Sequence, residues 1–245
     1  MQAMAEIRNI VILTGAGISA ESGIDTFRDA GGLWEQHRVE DVATPEGFAR
    51  DPALVLRFYD LRREALGRVV PNAAHAALAR LDAEWQPENG RGDLLIVTQN
   101  VDDLHERAGA PYQTRSRVLH MHGELKSALC LACGTRSRWD APLADRPPCP
   151  VCRAPMLRPD VVWFGEMPYQ MDRVYAALRQ ADLFVSIGTS GAVYPAADFV
   201  RDAREMGVAT LELNLERSEG SLWFHESRQG RAGDLVPAWV EEVLG

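Results

Sequence analysis

The sequence predicts an α/β protein with a Rossmann-like, doubly wound parallel sheet and a smaller lobe made of a helical insert and a four-cysteine zinc module. Two observations predict it. Short aliphatic runs alternate with longer stretches of helical periodicity, and all four cysteines of the 245-residue chain fall in one short segment. The first pattern is typical of parallel strands that helices cover on both faces. The second is typical of a metal site in a protein that is not held together by disulfides.

Four aliphatic runs are expected to be central strands of the sheet. They span residues 10–13, 94–97, 183–187 and 210–213, and each is followed directly by a polar or glycine-rich tip. Because open sheets of this type bind ligands beyond the carboxyl ends of their strands, the four tips predict where a binding site lies.

Two segments interrupt the strand pattern. Residues 31–70 have mostly helical periodicity, and residues 123–159 hold the cysteines together with a proline-rich stretch. We expect these insertions to pack together as the small lobe, with a substrate cleft between the lobes. The Rossmann-like domain would then be discontinuous, formed by residues 1–30, 71–122 and 160–245.

The cysteines follow the pattern Cys130-x2-Cys133-x15-Cys149-x2-Cys152. Two such hooks let four thiolates surround one tetrahedral Zn²⁺, and because sulfur then occupies every position, the metal is expected to be structural. The alternative is four reduced core cysteines, which would have to fall into two matching hooks by chance.

Charge and hydropathy exclude several classes of function. A formal net charge of -9 argues against direct nucleic-acid binding, which usually requires a basic surface. The sequence contains no apolar run of the roughly 18 residues that a membrane span needs, and residues 1–7 lack the basic and apolar blocks of a secretory signal. We expect a monomeric cytoplasmic protein that does not bind membranes.

The first predicted strand leads into a glycine-rich turn at residues 15–23, whose glycines permit close backbone approach to a pyrophosphate. Alone, this turn is a weak signal, since most such turns are only structural. Its continuation, Ile24-Asp25-Thr26-Phe27-Arg28, resembles the cofactor-binding loop of the sirtuins, the NAD-dependent protein-lysine deacylases.

The resemblance extends along almost the whole chain in the family's order. Its further segments are 98–105 (Thr-Gln-Asn-Val-Asp-Asp-Leu-His), 120–123 (His-Met-His-Gly), the four cysteines, 162–166 (Val-Trp-Phe-Gly-Glu), 188–190 (Gly-Thr-Ser) and 214–216 (Asn-Leu-Glu). One departure is Asp25, which stands where sirtuins commonly have proline; it removes a fixed φ and adds a charge to the loop.

The resemblance implies NAD as a co-substrate that is consumed, with acylated-lysine proteins or peptides as the second substrate. The acyl group would pass to ADP-ribose and nicotinamide would leave. His122 would be the general base, and Asn100 and Asp102 would orient the nicotinamide and its ribose. From the residues alone, His122 could instead be packed at a strand end, and Asp102 or Asp103 could be a helix cap.

Other roles are carried over by position. The resemblance implies cofactor contacts from Gly15, Ala16, Gly17, Ser19, Glu21, Thr26, Phe27, Arg28, Trp34, Gln99, Asn100, Val101, Asp102, Gly188, Thr189, Ser190, Asn214, Leu215, Glu216 and Ala232. It implies that the peptide is bound as an added strand, with contacts from Val162, Phe164, Gly165 and Val193.

Tyr59 and Arg62 are three residues apart in a predicted helix and therefore share a face. A guanidinium beside a hydroxyl can bind a carboxylate, and this Tyr-x-x-Arg pattern resembles the sirtuin class that removes succinyl and malonyl groups. The alternative is an ordinary amphipathic helix with a packed Tyr59 and a solvated Arg62.

The sequence is also compatible with two competing functions. One is a non-catalytic module that binds NAD or ADP-ribose and recruits a partner. The other is mono-ADP-ribosyl transfer to protein, which would use the same cofactor loops but leave ADP-ribose on the protein.

Overall fold

A computed structural model describes residues 7–24, 33–34, 37–112 and 117–245 of the chain. Within these ranges the strands are β1 (Ile10–Thr14), β2 (Leu33–Trp34), β3 (His37–Arg38), β4 (Leu94–Thr98), β5 (Val118–His120), β6 (Gly123–Cys130), β7 (Arg136–Arg138), β8 (Leu157–Val161), β9 (Leu183–Ile187), β10 (Ala209–Asn214) and β11 (Glu226–Gln229). The α-helices of the same ranges are α1 (Ala16–Ser19), α2 (Val39–Val42), α3 (Pro45–Arg50), α4 (Pro52–Leu66), α5 (Ala73–Glu84), α6 (Leu104–Gly109), α7 (Met171–Leu178), α8 (Phe199–Glu205) and α9 (Ala232–Leu244).

The large sheet has six strands in the order β11-β10-β9-β1-β4-β5, and every neighbouring pair is parallel. From the central β1 the chain continues to β4 and β5 on one side, and later to β9, β10 and β11 on the other. Doubly wound folds bind ligands at such a reversal of strand order. The predicted fold class and all four predicted strands are confirmed.

Helices cover both faces of this sheet, which explains the aliphatic runs. Ile10 and Ile12 of β1 belong to a buried cluster with α5 and α9, whereas Val11 and Leu13 belong to a second cluster with α7 and α8. Since successive side chains of a strand point to opposite faces, a strand between two helical layers must be apolar at every position.

The small lobe joins helices α2 to α4 with a three-stranded antiparallel sheet, β7-β6-β8. Leu56 of α4 lies in one buried cluster with Cys130 and Leu157. On the same helix, the Asp60 carboxylate accepts hydrogen bonds from the backbone N–H groups of Leu143 at 2.9 Å and Ala144 at 2.8 Å. The helical insert and the cysteine segment therefore share a core.

Two details differ from the simplest expectation. Within residues 31–70, β2 and β3 form a short antiparallel pair before the helices begin at Val39; a pair this short is averaged out in any search for helical periodicity. Strand β8 runs to Val161, two residues past the boundary expected for the zinc module. The division into domains stays a prediction.

Helices α3 and α4 begin where the sequence provides caps. Thr44 and Asp51 accept hydrogen bonds from backbone N–H groups of the first turn, and a proline follows each cap. This arrangement fixes the start of α4, the helix that presents Tyr59. No helix in the described part of the chain is both long and apolar enough to cross a bilayer.

Candidate active site

The tips of four adjacent strands meet at the carboxyl edge of the large sheet. The backbone N–H groups of Gly15, Gln99 and Gly188 each donate to a carbonyl of the last or penultimate residue of a neighbouring strand, at 3.0, 2.9 and 3.0 Å. Each of the turns after β1, β4 and β9 is therefore bonded to the end of a neighbouring strand: the turn after β1 to β9, the turn after β4 to β1, and the turn after β9 to β10. They lie beside β1, at the reversal of strand order.

Glycines allow the turn after β1 to contact the turn after β9. The Gly17 N–H donates to the Gly188 carbonyl at 2.8 Å, and a Cβ on Gly17 would lie 2.7 Å from the Gly188 Cα. Gly188 has a φ of +61°, and its own Cβ would lie 2.5 Å from the Ile18 nitrogen. Side chains at either position would separate the two turns, so these glycines are required by backbone packing.

Ser19, Asn100 and Asp102 form a hydrogen-bonded group below the glycine turn. The Asn100 Nδ2 donates to the Gly15 carbonyl and to the Ser19 Oγ, both at 3.1 Å. The Ser19 hydroxyl donates to Asp102 Oδ2 at 3.0 Å, and Asp102 Oδ1 accepts the Leu104 N–H at 3.1 Å. Asp102 therefore accepts the first backbone N–H of α6 with one oxygen and holds Ser19 with the other. Burial raises the pKa of this carboxyl, against the effect of both hydrogen bonds.

His122 follows β5 and lies with its Nδ1 3.2 Å from the Gln99 carbonyl oxygen. A carbonyl can only accept, so this contact assigns the proton to Nδ1 and leaves the Nε2 lone pair available. Burial lowers the pKa of His122, although the hydrogen bond opposes the shift. A neutral imidazole with an accepting Nε2 is the form that a general base requires.

His120, two residues before His122 in the sequence, also contacts the turn after β4. Its Nδ1 lies 3.0 Å from the Asn100 carbonyl, and its Nε2 lies 2.9 Å from Glu106 Oε1. Burial alone would lower the pKa of His120, but Glu106, Glu124 and the carbonyl contact together raise it to about 9. The two histidines of the His-Met-His segment thus bind consecutive carbonyls of the turn after β4, one as a neutral ring and one as a cation.

Two further histidines lie beneath this group. His75 Nε2 is 3.4 Å from the Ser19 Oγ, and His75 also completes a capping box with Asn72 at the start of α5. His105 Nε2 is 3.1 Å from the Thr14 Oγ1. Burial lowers the pKa of His75 to about 4 and that of His105 to about 3, so both rings are neutral at physiological pH.

Residues expected near the adenosine lie along the tips of β9 and β10. The Asn214 Nδ2 donates to the Thr189 carbonyl at 2.7 Å, and the Ser190 hydroxyl accepts the Ala192 N–H at 3.2 Å. Leu215 and Glu216 are exposed. Further along, the Glu21 carboxylate accepts the Gly233 N–H at 2.8 Å, which places it beside Ala232 at the start of α9.

Tyr59 and Arg62 are both buried in the small lobe. Arg62 is only 8% exposed, so the alternative of a solvated arginine is wrong. Its guanidinium carbon lies 5.7 Å from the centroid of the Phe58 ring. The Tyr59 hydroxyl accepts the Trp163 Nε1–H at 2.9 Å.

Of the two segments expected to bind the peptide, residues 162–166 lie beside the strand end that carries His122. The Val162 N–H donates to the His122 carbonyl at 2.9 Å, and the side chain of Phe164 is half exposed. Gly165 has a φ of +91°, in the left-handed region that favours glycine. On the second segment, the Val193 carbonyl accepts the Ala197 N–H at 2.9 Å. In the turn after β4, the Val101 carbonyl accepts the Leu125 N–H at 2.8 Å.

The four cysteines converge at the end of the small sheet. All four sulfur atoms lie within 4.8 Å of one another; the Cys130 and Cys152 sulfurs are 3.6 Å apart, and those of Cys133 and Cys149 are 3.8 Å apart. Sulfurs bound at about 2.3 Å around a tetrahedral Zn²⁺ would lie about 3.8 Å from one another. The donor set and its spacing therefore fit one zinc ion with four thiolate ligands.

Some predicted contacts fall outside the described part of the chain. These are Thr26, Phe27 and Arg28, together with the neighbouring Asp25 and the side chain of Trp34. Conversely, sequence reasoning did not assign a role to Trp163, Arg158, Glu106 or Glu212. Trp163 lies inside a segment that was matched to the family, but its bond to Tyr59 joins residues 104 positions apart, and no local pattern predicts such a pair.

Comparisons with known proteins agree with this arrangement. The profile of the Sir2 family matches residues 15–195. An NAD-dependent protein deacylase of Leishmania major is 54% identical over 245 residues, which cover 98% of this chain and 98% of the relative. An NAD-dependent protein deacylase of Vibrio cholerae is 53% identical over 240 residues, covering 97% and 94%.

Solved structures of the same family are also similar to this chain. A Sir2 homologue in complex with NAD is 38% identical, with a TM-score of 0.85 over 99% of this chain and 93% of that chain. A Sir2 structure with an inhibitor, 2′-O-acetyl-ADP-ribose and a deacetylated p53 peptide is 27% identical, with a TM-score of 0.76 over 97% and 94%.

Proposed function

This chain belongs to the Sir2 family, and we propose that it is an NAD-dependent protein-lysine deacylase that removes acetyl, malonyl and succinyl groups. The observation that carries the proposal is the neutral His122, whose Nε2 is left as an acceptor by the contact between Nδ1 and the Gln99 carbonyl. It lies at the edge of the sheet where a dinucleotide would bind.

NAD, when bound, supplies an electrophilic ribose carbon with nicotinamide as leaving group, and ADP-ribose accepts the acyl group. The residues of this chain would position the nicotinamide ribose and remove a proton from one of its hydroxyls. Asn100 and Asp102, fixed through Ser19, would orient the nicotinamide ribose, and His122 Nε2 would take a proton from a ribose hydroxyl. Removal of water from the site would be the role of Phe27.

The glycine turns after β1 and β9 support dinucleotide binding, because they place two closely packed glycine turns at the reversal of strand order, where doubly wound folds bind ligands. Thr189, Ser190, Asn214 and Glu216 would contact phosphate and ribose, and the Ala232 backbone would approach the adenine. Zinc would hold the tip of the small sheet and take no part in the reaction.

The acyl preference rests on Tyr59 and Arg62, whose burial on one face of α4 supports recognition of a distal carboxylate. The peptide would add as a strand between residues 162–166 and 191–194, which supports tolerance of many sequences. A monomeric state and a cytoplasmic location stay predictions.

One assay tests the proposed function. A single peptide carrying acetyl-, malonyl- or succinyl-lysine is incubated with the protein and NAD, and deacylated peptide and nicotinamide are measured by mass spectrometry. We expect both products from all three peptides and neither when NAD is omitted. NAD binding without turnover would indicate a non-catalytic module instead, and labelled ADP-ribose left on protein would indicate mono-ADP-ribosyl transfer.

A further inference from the structure

The Tyr59 hydroxyl contacts the indole of Trp163, a group that can only donate a hydrogen bond. The Trp163 indole N–H lies 2.9 Å from the Tyr59 oxygen, and both side chains are at most 2% exposed. An indole nitrogen donates and never accepts. Tyr59 must therefore accept from Trp163, so its own proton points away from the indole.

The indole is packed between two further side chains, and the Trp163 backbone is bonded to a third. The guanidinium carbon of Arg158 stacks 3.7 Å from the centroid of the Trp163 ring, and the Phe48 ring lies with its centroid 5.1 Å away. The Trp163 backbone N–H donates to Glu166 Oε2 at 2.9 Å. A ring held this way cannot turn its N–H from Tyr59 without breaking several contacts.

Arg158 is fixed in turn. It is 4% exposed, and its two terminal nitrogens donate to the two oxygens of Glu166, each at 2.8 Å. One of these nitrogens also donates to the Val161 carbonyl at 2.8 Å. This bidentate pair joins β8 to the turn after it, and Arg158 holds the pKa of Glu166 below its ordinary value although burial opposes the shift.

We infer that Trp163 is a specificity-determining positioning residue, which orients the Tyr59 hydroxyl as a hydrogen-bond donor for an acidic acyl group on lysine. The inference rests on the proposed deacylase function and deepens it. A carboxylate offers only acceptors, so it matches a hydroxyl whose proton is turned towards it, whereas the methyl group of an acetyl offers none. Burial also raises the pKa of Tyr59, which keeps the proton in place.

The test separates the indole N–H from the indole ring. Trp163→Phe keeps an aromatic ring against Arg158 but removes the donor. We expect the ratio of kcat/KM for succinyl-lysine to that for acetyl-lysine, on one peptide, to fall roughly fivefold to tenfold, as for loss of a buried hydrogen bond. In the double variant with Tyr59→Phe, the ratio should be no lower than in Tyr59→Phe alone, because Trp163 acts through that hydroxyl.

Two controls accompany these variants. Phe48→Leu removes a ring that packs on the indole but keeps the indole N–H, so it should lower the Tm and lower the acyl ratio less than Trp163→Phe does. If Trp163→Phe does not fold, 3-benzothienylalanine at position 163 keeps both rings and replaces the N–H by sulfur.

The possible results lead to different conclusions. Equal losses on succinyl- and acetyl-lysine, or effects of the two substitutions that multiply in the double variant, would overturn the inference and leave Trp163 a packing residue. Failure of the unchanged protein to deacylate any peptide with NAD would instead overturn the proposed function.

Discussion

Four histidines near the sheet edge differ in pKa because their hydrogen-bond partners differ. His75, His105 and His122 contact neutral groups, and burial lowers the pKa of each. His120 contacts the Glu106 carboxylate, and its pKa is raised to about 9. Of these four residues, His122 combines a lowered pKa with a direct contact to residues 162–166, since its backbone carbonyl accepts the Val162 N–H.

Replacing His122 by alanine should reduce deacylation on the order of 10²- to 10⁴-fold, because the proposed general base is lost. Since the pKa of His122 is lowered from its usual 6.5, the unchanged protein should keep its kcat/KM as the pH falls to 6.5 and lose it only below that value. Steady-state assays from pH 5 to 8 measure both effects. Replacing the exposed His225 by glutamine is the matched control, and an unchanged rate in His122→Ala would exclude the assigned role.

The acyl selectivity should depend on Tyr59 and Arg62 together. Tyr59→Phe and Arg62→Met should reduce succinyl-lysine turnover at least tenfold more than acetyl-lysine turnover, because charge-assisted hydrogen bonds to the distal carboxylate are lost. The measurement is kcat/KM on matched peptides. Arg57→Met, at an exposed position of the same helix, serves as a control; a parallel fall on both substrates would contradict a carboxylate-binding role.

His120 should make stability depend on pH above neutrality. Its folded-state pKa of about 9 exceeds the unfolded value near 6.5, so the stabilisation is fully present below pH 6.5 and is lost as the pH rises through 9. Glu106, Glu124, Asp102 and His105 face it or interact with it. Urea unfolding at pH 7 and 9.5 should show a loss on the order of 1–3 kcal/mol. His120→Gln should have a flatter profile; the same slope in both proteins would refute this origin.

At the scale of elements, a buried carboxylate fixes the connection between β10 and β11. Glu212 is 1% exposed; its Oε2 accepts from the Ser221 hydroxyl at 2.5 Å and from the Ser227 hydroxyl at 2.6 Å, and Ser218 also donates to it. Although burial opposes the shift, these hydroxyls hold the pKa of Glu212 below its ordinary value. The connection that follows Asn214 is therefore bound back to its own strand.

Replacing Glu212 by alanine should lower the free energy of unfolding by about 1–3 kcal/mol, since three serine hydroxyls, of which that of Ser218 is buried, lose their acceptor. The connection begins with Leu215 and Glu216, so the KM for NAD should rise more than kcat falls. Denaturant unfolding and initial rates at varied NAD provide the measurements. Glu219→Ala, an exposed change in the same connection, should alter neither; normal stability in the Glu212→Ala variant would show that the serines find other acceptors.

The elements that could be predicted from the sequence are those that depend on a pattern of neighbouring residues. The strands of 94–97 and 183–187 were predictable because a strand buried on both faces is continuously apolar, and the zinc site because its ligands follow a fixed spacing. Strand β11 was not predicted: its residues, Glu226 to Gln229, are mostly exposed at the sheet edge and lack an apolar run. The contacts of His120 and Trp163 were out of reach because they join distant segments.

At the scale of the whole molecule, helix α4 connects the zinc module to the proposed acyl site. Leu56 shares a buried cluster with Cys130, Cys149 and Leu157, and three residues later Tyr59 packs with Trp163. Helix α4 therefore links the cysteine cluster directly to Tyr59.

Removal of zinc should consequently lower the Tm and abolish turnover of every acyl-lysine peptide, even though the metal touches no substrate. Thermal unfolding and the peptide assay before chelation, after it, and after Zn²⁺ is restored give the measurement. Restored activity distinguishes loss of metal from irreversible aggregation. A chelated sample that keeps its fold and full turnover would show that the small lobe is stable without metal.

Two adjacent residues of α4, Tyr59 and Asp60, are hydrogen-bonded to different segments of the chain. Tyr59 is bonded to Trp163, and Asp60 is bonded to the backbone of Leu143 and Ala144. A sliding or rotation of the helix that enlarged the proposed acyl site would pull the cysteine segment with it. Divergence towards longer or uncharged acyl groups is therefore easier by exchanging single side chains on a stationary helix than by reshaping the backbone.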